Sequence, residues 1–227
     1  MIKILSGSRT RALIAVPLFS LMLTGCSQQF ALLGQTMKLA VWGQSDTDLT
    51  PQQVAKVPYA SAYIKVGEAP RAFMVLAFAD NGQLKWVAAD KNLVATHAGR
   101  VVKTQGFGED IQHVANQEQD PLFLGLLKPE TPKRWRTEVS WSQVMRGSYE
   151  LNSSFENRGR EPLVILGRTY QTVRFDELVT VPALNQRYTN QYWLNASTGQ
   201  VIQSRQYMGP DMALVQFTAL KSYAQSL

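Results

Sequence analysis

The chain has 227 residues, with 23 Lys and Arg against 17 Asp and Glu, a net charge of +6 and a single cysteine. One cysteine excludes an internal disulfide, and basic residues that are scattered singly exclude the stripe typical of a nucleic-acid-binding face. Two histidines, His97 and His113, have no second ligand at helical or strand spacing. Phosphate loops and dinucleotide fingerprints are also missing from the sequence, so we expect no metal, no other cofactor and no nucleic-acid partner.

The first 25 residues have the three parts of a secretory signal peptide. Lys3, Arg9 and Arg11 precede an apolar run from Ala12 to Leu23. This run of about 12 residues is shorter than the roughly 20 that a membrane-spanning helix needs. We therefore expect residues 1–25 to be removed, which leaves 20 basic and 17 acidic side chains and a net charge of +3.

The signal ends at Leu23-Thr24-Gly25-Cys26, which resembles the bacterial lipobox. The resemblance implies cleavage between Gly25 and Cys26 and attachment of a diacylglycerol and a further acyl chain such as palmitate to Cys26. Several acyl chains hold a protein firmly on a membrane. Ser27 stands where an aspartate would resemble the inner-membrane retention signal, so the resemblance implies an outer-membrane anchor with the domain facing the periplasm. The alternative is an ordinary buried cysteine after an ordinary signal peptide.

Residues 26–57 read as a lipid anchor followed by a helical segment. Phe30, Leu33, Met37 and Val41 are spaced as one face of a helix, which could lie on the membrane or on the protein's own sheet. A second, short helix is expected after Thr50-Pro51, because threonine can cap a helix and proline suits its first turn.

From residue 58 to residue 227 the apolar period changes to two, which predicts a β-rich domain. Residues 72–79 are apolar on both faces, so this strand is expected in the middle of a sheet. Residues 105–130 lack alternation, which predicts loops and a helical turn and is compatible with a division into two subdomains. Asn157–Arg160 and Asn195–Gly199 have the composition of hairpin turns.

The clearest alternation places Trp135, Thr137, Val139 and Trp141 on one face of a strand. The count reaches about ten to twelve antiparallel strands, which excludes helical bundles and doubly wound sheets. The sequence therefore predicts a mainly β fold, either a β-sandwich or an incomplete β-barrel.

Catalytic patterns are missing from the sequence. It contains no Gly-x-Ser-x-Gly elbow. The pairs Glu109-Asp110 and Asp176-Glu177 do not by themselves form the two carboxylates of a glycosidase, because neighbouring side chains on a strand point to opposite faces. We expect them in turns or on the surface. Tryptophans on strands could stack on sugar rings, but core packing is their commoner use. We therefore expect no catalytic residues, and we expect that the protein is not an enzyme.

One stretch resembles a known family. A tryptophan strand at Trp86 is followed by Gly99-Arg100-Val101-Val102-Lys103-Thr104-Gln105-Gly106. This pattern is similar to the YjbF/GfcB family of group 4 capsule polysaccharide lipoproteins. The motif positions carry no role that the resemblance supplies; they are Trp86, Gly99, Arg100, Thr104 and Gly106.

The resemblance implies an outer-membrane lipoprotein that acts as a non-catalytic accessory in the assembly or secretion of capsule or exopolysaccharide. Its expected partners are other export proteins and the polysaccharide itself. Two alternatives stay open: a periplasmic carbohydrate-active enzyme that modifies the polymer, and a β-rich carrier of an apolar ligand.

Overall fold

The computed structural model describes residues 46–142 and 147–223. The signal peptide, Gly25, Cys26 and the helical segment predicted from Gln28 to Trp42 lie outside the described residues. No helix within the described ranges is long and apolar enough to cross a membrane.

Helix α1, Pro51–Lys56, begins as its sequence predicts. The backbone N–H of Gln53 donates to Thr50 Oγ1 at 3.3 Å, and the N–H of Thr50 donates to Gln53 Oε1 at 2.8 Å. These reciprocal bonds form a capping box that satisfies two N–H groups at the helix start. Val54 anchors the helix by burial. The prediction of a short helix after Thr50 is confirmed.

Strands make up most of the described chain. In chain order they are β1 Ser61–Val66, β2 Ala72–Asp80, β3 Gln83–Val87, β4 Leu93–His97, β5 Arg100–Gln105, β6 Ile111–Val114, β7 Arg134–Trp141, β8 Ser148–Arg160, β9 Leu163–Ile165, β10 Arg168–Tyr170, β11 Thr172–Val181, β12 Gln186–Asn195, β13 Val201–Tyr207 and β14 Leu214–Lys221. Between β6 and β7 lie a 3-10 turn and helix α2, and between β11 and β12 another 3-10 turn; they span Gln117–Gln119, Pro121–Leu124 and Pro182–Leu184.

Twelve strands form one antiparallel sheet in the order β5-β4-β3-β2-β1-β14-β13-β12-β11-β8-β7-β6, and β9 pairs with β10 as a separate hairpin. The two edge strands, β5 and β6, lie beside each other, so the sheet curls into a nearly closed barrel. The mainly β class is confirmed, and of the two predicted architectures the incomplete barrel is the one observed.

Side chains at alternate positions along the strands fill the barrel interior. On β7 the side chains of Trp135, Thr137, Val139 and Trp141 are buried while their neighbours face outward, as predicted. Strand β2 lies between β1 and β3, in the middle of the sheet, which also agrees with the prediction.

One predicted turn is wrong. Asn157–Arg160 lies within the continuous strand β8, where the pairing register with β11 shifts by one residue. Asn157 and Gly159 therefore lie at a β-bulge, which needs the same backbone freedom as a turn. The chain reverses instead at Leu166-Gly167, between β9 and β10, where both residues have positive φ. The turn predicted at Asn195–Gly199 is confirmed between β12 and β13.

Residues 115–133 connect β6 to β7 and fold across one end of the barrel; we call them the plug, and that end the mouth. Leu122 and Leu126 of the plug are buried in a cluster with Phe155, Phe175 and Leu194. The predicted loops and helical turn occur in this region, but strand β6 was not predicted. Burial does not alternate along its four residues, because the pairing register with β7 shifts between Ile111 and His113.

Candidate functional site

The five motif positions lie along one wall of the barrel, on strands β3 to β5. Trp86 is on β3, Gly99 is in the turn between β4 and β5, Arg100 and Thr104 are on β5, and Gly106 follows it. The structure gives each a physical environment.

Arg100 points into the barrel, where its guanidinium meets two carboxylates. Its Nη1 and Nη2 donate to Glu177 Oε2 and Oε1 at 3.0 and 2.9 Å. Its Nε and Nη2 donate to Asp120 Oδ2 and Oδ1, the second at 3.2 Å. Nη1 also donates to the hydroxyl of Tyr192 at 3.2 Å. Arginine has five N–H donors in a fixed fork, so every donor of Arg100 has an acceptor.

Glu177 is completely buried on β11 and has further partners. Its Oε2 accepts hydrogen bonds from the Tyr192 hydroxyl at 2.9 Å and from Asn190 Nδ2 at 3.0 Å. The Arg100 guanidinium carbon lies 4.5 Å from the centroid of the Trp135 ring, a cation-π contact. We call Arg100, Asp120, Glu177, Asn190 and Tyr192 the charge cluster.

Electrostatics hold the cluster in its ionised form. Burial opposes the charge of Glu177, but the Arg100 charge and hydrogen bonds from Arg100, Asn190 and Ser153 lower the pKa of this carboxyl below its usual value. Burial likewise opposes the charge of Arg100, and its two carboxylate partners raise its pKa well above the usual value. Burial raises the pKa of Tyr192, so its hydroxyl stays protonated and continues to donate.

The charge cluster fastens the plug to the barrel. Asp120 belongs to the plug and also caps helix α2, because its Oδ1 accepts from the N–H of Leu122 at 3.0 Å. Arg100 and Glu177 belong to strands β5 and β11. A cavity of about 40 Å³ lies against the cluster, so the middle of the barrel is nearly filled. This arrangement can set the position of the plug, and its carboxylates are held away from solvent.

Thr104 and Gly106 lie at the seam between the edge strands β5 and β6. Thr104 Oγ1 donates to Asp110 Oδ1 at 2.8 Å and accepts from the N–H of Ile111 at 3.0 Å. The N–H of Gly106 donates to Asp110 Oδ2 at 3.0 Å, and the backbone there has φ +99°. The carboxylate of Asp110 thus ties together the strand ends at the seam.

Gly99 is held against strand β13. Its φ is +90°, and a Cβ there would lie 2.4 Å from Cβ of Val201. Glycine is therefore required both by the backbone and by the contact. Next to this turn, Gln206 Nε2 donates to the carbonyl of Gly99 at 2.8 Å.

An open groove of about 880 Å³ occupies the part of the mouth that the plug leaves uncovered. Trp86 contributes to its floor, and Gly99 to one side. The plug forms one wall, and the turn between β12 and β13 forms another.

The two histidines are far from equivalent. His97 is buried and stacks on Phe123 of the plug with ring centroids 4.7 Å apart, and burial lowers its pKa despite Asp120 and Glu118 nearby. His113 is exposed on β6. Within residues 46–142 and 147–223, no group of three His, Cys, Asp or Glu side chains is placed to hold a metal ion.

Comparison with known proteins shows to which family the chain is similar. The family model described as "Group 4 capsule polysaccharide lipoprotein gfcB, YjbF" matches residues 34–220. The chain belongs to this family. Two relatives in Escherichia coli K12 carry the names uncharacterized lipoprotein GfcB and uncharacterized lipoprotein YjbF. The chain is 32% identical to GfcB over 92% of its own length and 97% of that protein, and 33% identical to YjbF over 93% and 98%.

A solved relative shares the YjbF/GfcB fold. The crystal structure of the hypothetical lipoprotein YmcC from Escherichia coli K12 matches with a TM-score of 0.75 and 30% identity, over 89% of this chain and 99% of that one. The lipoprotein class and the association with capsule polysaccharide that the sequence resemblance implied agree with these relatives.

Sequence reasoning missed the acidic half of the charge cluster. Glu177 was expected in a turn or on the surface but is completely buried, and Asp176, on the opposite face, is mostly buried beneath Arg158 and Arg174. Asp110 was also misplaced, since it lies buried at the seam. The available signal was the position of Glu177 between Phe175 and Val179, inward-facing sites of one strand.

Proposed function

We propose that this protein is an outer-membrane lipoprotein that acts as a non-catalytic accessory in the assembly or secretion of capsule polysaccharide or exopolysaccharide. Lipid on Cys26 anchors it, and its β-barrel domain faces the periplasm. It works through contacts with other export proteins and with the polymer.

The observation that carries the proposal is the pairing of the interior carboxylates. Asp120 and Glu177 are buried and both bind the guanidinium of Arg100. A glycosidase needs two carboxylates that flank a sugar, one of them free to give up a proton. These two instead form a structural tie, while the open groove offers a surface for contact without such a pair. Membership of the capsule polysaccharide lipoprotein family supports a role in this pathway.

The test is a deletion of the gene under conditions in which the polymer is made. Surface and secreted polysaccharide should fall, and the wild-type gene should restore both. Unchanged polysaccharide in the deletion strain would overturn the proposal.

Anchoring is tested separately by fractionation of the two membranes. The wild type should be found with the outer membrane, and Ser27→Asp should shift the protein to the inner membrane, whereas Ser27→Ala should not. A wild-type chain in the inner membrane would contradict the proposed location.

The enzymatic alternative predicts turnover of the polymer by purified protein. Incubation of the strain's own polysaccharide with the purified chain should leave its size distribution and reducing ends unchanged. Shortened or chemically altered polymer would favour the enzyme, provided that a folded Glu177→Gln variant no longer changes the polymer.

A further inference from the structure

The floor of the groove is apolar. It is formed by inward-facing side chains of β3 and β14, among them Leu84, Trp86, Phe217 and Ala219. The indole N–H of Trp86 donates to Thr96 Oγ1 at 3.0 Å, so the polar edge of this ring already has a partner. The Trp86 and Phe217 rings pack edge to face at 5.5 Å. A ligand on this floor therefore meets hydrocarbon rather than free donors or acceptors.

The turn that forms one wall uses several of its polar atoms internally. Asn195 Oδ1 accepts from the N–H and hydroxyl of Ser197 and from the N–H of Thr198. Thr198 Oγ1 in turn accepts from the N–H of Gln200 at 3.3 Å. These side-chain oxygens of Asn195, Ser197 and Thr198 are thus engaged within the turn.

The rim carries large apolar side chains in contact with solvent. Phe123, Leu124 and Tyr223 line the groove and are 49%, 36% and 37% exposed. Solitary exposed apolar residues are common, but a group of them around a concave site is typical of a binding surface.

Charge at the groove has one sign. Lys128 is the charged residue among those that line it, and its Cδ and Cε pack beside Gly125 on the plug. Carboxylates are missing from the described lining. A cation at the edge of an apolar groove complements a ligand that is apolar along its length and anionic at one end.

We propose that the groove binds the hydrocarbon chain of an anionic amphiphile, with its charged end beside Lys128 and its chain over Trp86 and Phe217. The volume of about 880 Å³ lies within the range of about 300–1,000 Å³ that is usual for ligand sites. This inference goes beyond the accessory role and does not depend on it, since the binding concerns the isolated chain.

The experiment uses the mature chain, residues 26–227, with Cys26→Ser so that it is purified without its own lipid. The probe is cis-parinaric acid, a fluorescent long-chain carboxylate whose emission rises in an apolar site. The wild type should show saturable binding with one probe per chain, and oleate should displace the probe.

Variants locate the site. Ala219→Trp fills the floor and should weaken binding by roughly tenfold or more. Thr218→Trp, on the outward face of the same strand, should leave it unchanged. Because a new tryptophan in the interior could disturb the fold, the exposed rim residue Tyr223→Ser gives a second test and should also weaken binding.

Head-group charge is tested with oleyl alcohol, which has the same chain without the carboxylate. Lys128→Gln should weaken displacement by oleate but not by oleyl alcohol, and Lys85→Gln, on the outward face of β3, should affect neither.

Three results would overturn the inference. The first is no saturable binding to the folded wild type. The second is undiminished binding in both Ala219→Trp and Tyr223→Ser. The third is displacement of the probe by oligosaccharides from the strain's polymer but not by oleate. The gene-deletion result does not enter this test, so failure here and failure of the accessory role are distinguishable.

Discussion

Arg100 and Glu177 lie 77 residues apart in the chain and are joined inside the barrel by two parallel hydrogen bonds of 3.0 and 2.9 Å. Such a bidentate pair is charge-assisted and strong, and a buried pair offsets its desolvation only when the remaining donors and acceptors of both groups are also satisfied. Removal of one member leaves a buried charge uncompensated, which costs far more than loss of a surface pair.

Arg100→Met should therefore lower the free energy of unfolding by about 3–5 kcal/mol, because Asp120 and Glu177 would remain buried without their cation. Arg136→Met removes the exposed pair with Glu150 and should cost less than about 1 kcal/mol. Urea unfolding followed by circular dichroism measures both. Equal losses in the two variants would show that the cluster does not hold the plug.

His97 should make the stability depend on pH near neutrality. Its folded-state pKa is lowered by burial from the usual value of 6.5. The unfolded chain therefore binds the proton first, so the stability contributed by neutral His97 is complete above that value and is lost as the pH falls below it.

The free energy of unfolding, measured between about pH 7.5 and pH 5, should decline on acidification, and His97→Gln should reduce that decline. The matched control is His113→Gln at an exposed position, which should leave the pH dependence as it is in the wild type. A pH dependence that survives His97→Gln in full would exclude His97 as its source.

Gly99→Ala should destabilise the protein more than Gly167→Ala. Both glycines have positive φ, but a Cβ at Gly99 would collide with Val201, whereas one at Gly167 would meet nothing within 4 Å. The collision should add about 1–3 kcal/mol to the shared backbone strain. Thermal and urea unfolding of the two variants give the difference in free energy of unfolding. Equal destabilisation would mean that strand β13 shifts to accommodate the new Cβ without loss of stability.

Thr104→Val should loosen the seam without changing the size of the side chain. The N–H of Ile111 would lose its acceptor, and Asp110 would lose a donor. Hydrogen exchange at Ile111 should accelerate by roughly 5- to 150-fold, which corresponds to about 1–3 kcal/mol. Thr218→Val, on the outer face of β14, is the control. Unchanged exchange at Ile111 would mean that the seam is held by other contacts.

The sequence was informative wherever one local rule decides the structure. Thr50-Pro51 predicted the start of α1, and the period of two on β7 predicted which of its side chains are buried. These features depend on neighbours in the chain, which a single sequence displays.

Features that depend on distant partners were missed or misplaced. Glu177 looks like a surface residue until Arg100 and Asp120 are brought to it by the curvature of the sheet. Asn157–Arg160 has the composition of a turn, but its place beside β11 makes it a bulge. The position of the groove could not be predicted, because it depends on where the plug stops short of covering the mouth.

The most direct test of the accessory role is the amount of surface and secreted polysaccharide in a deletion strain that carries either the wild-type gene or Cys26→Ser. The proposed function predicts that deletion lowers the polysaccharide, that the wild type restores it, and that the unanchored variant restores it less. Wild-type levels of polysaccharide in the deletion strain, while the pathway is expressed, would contradict the central claim.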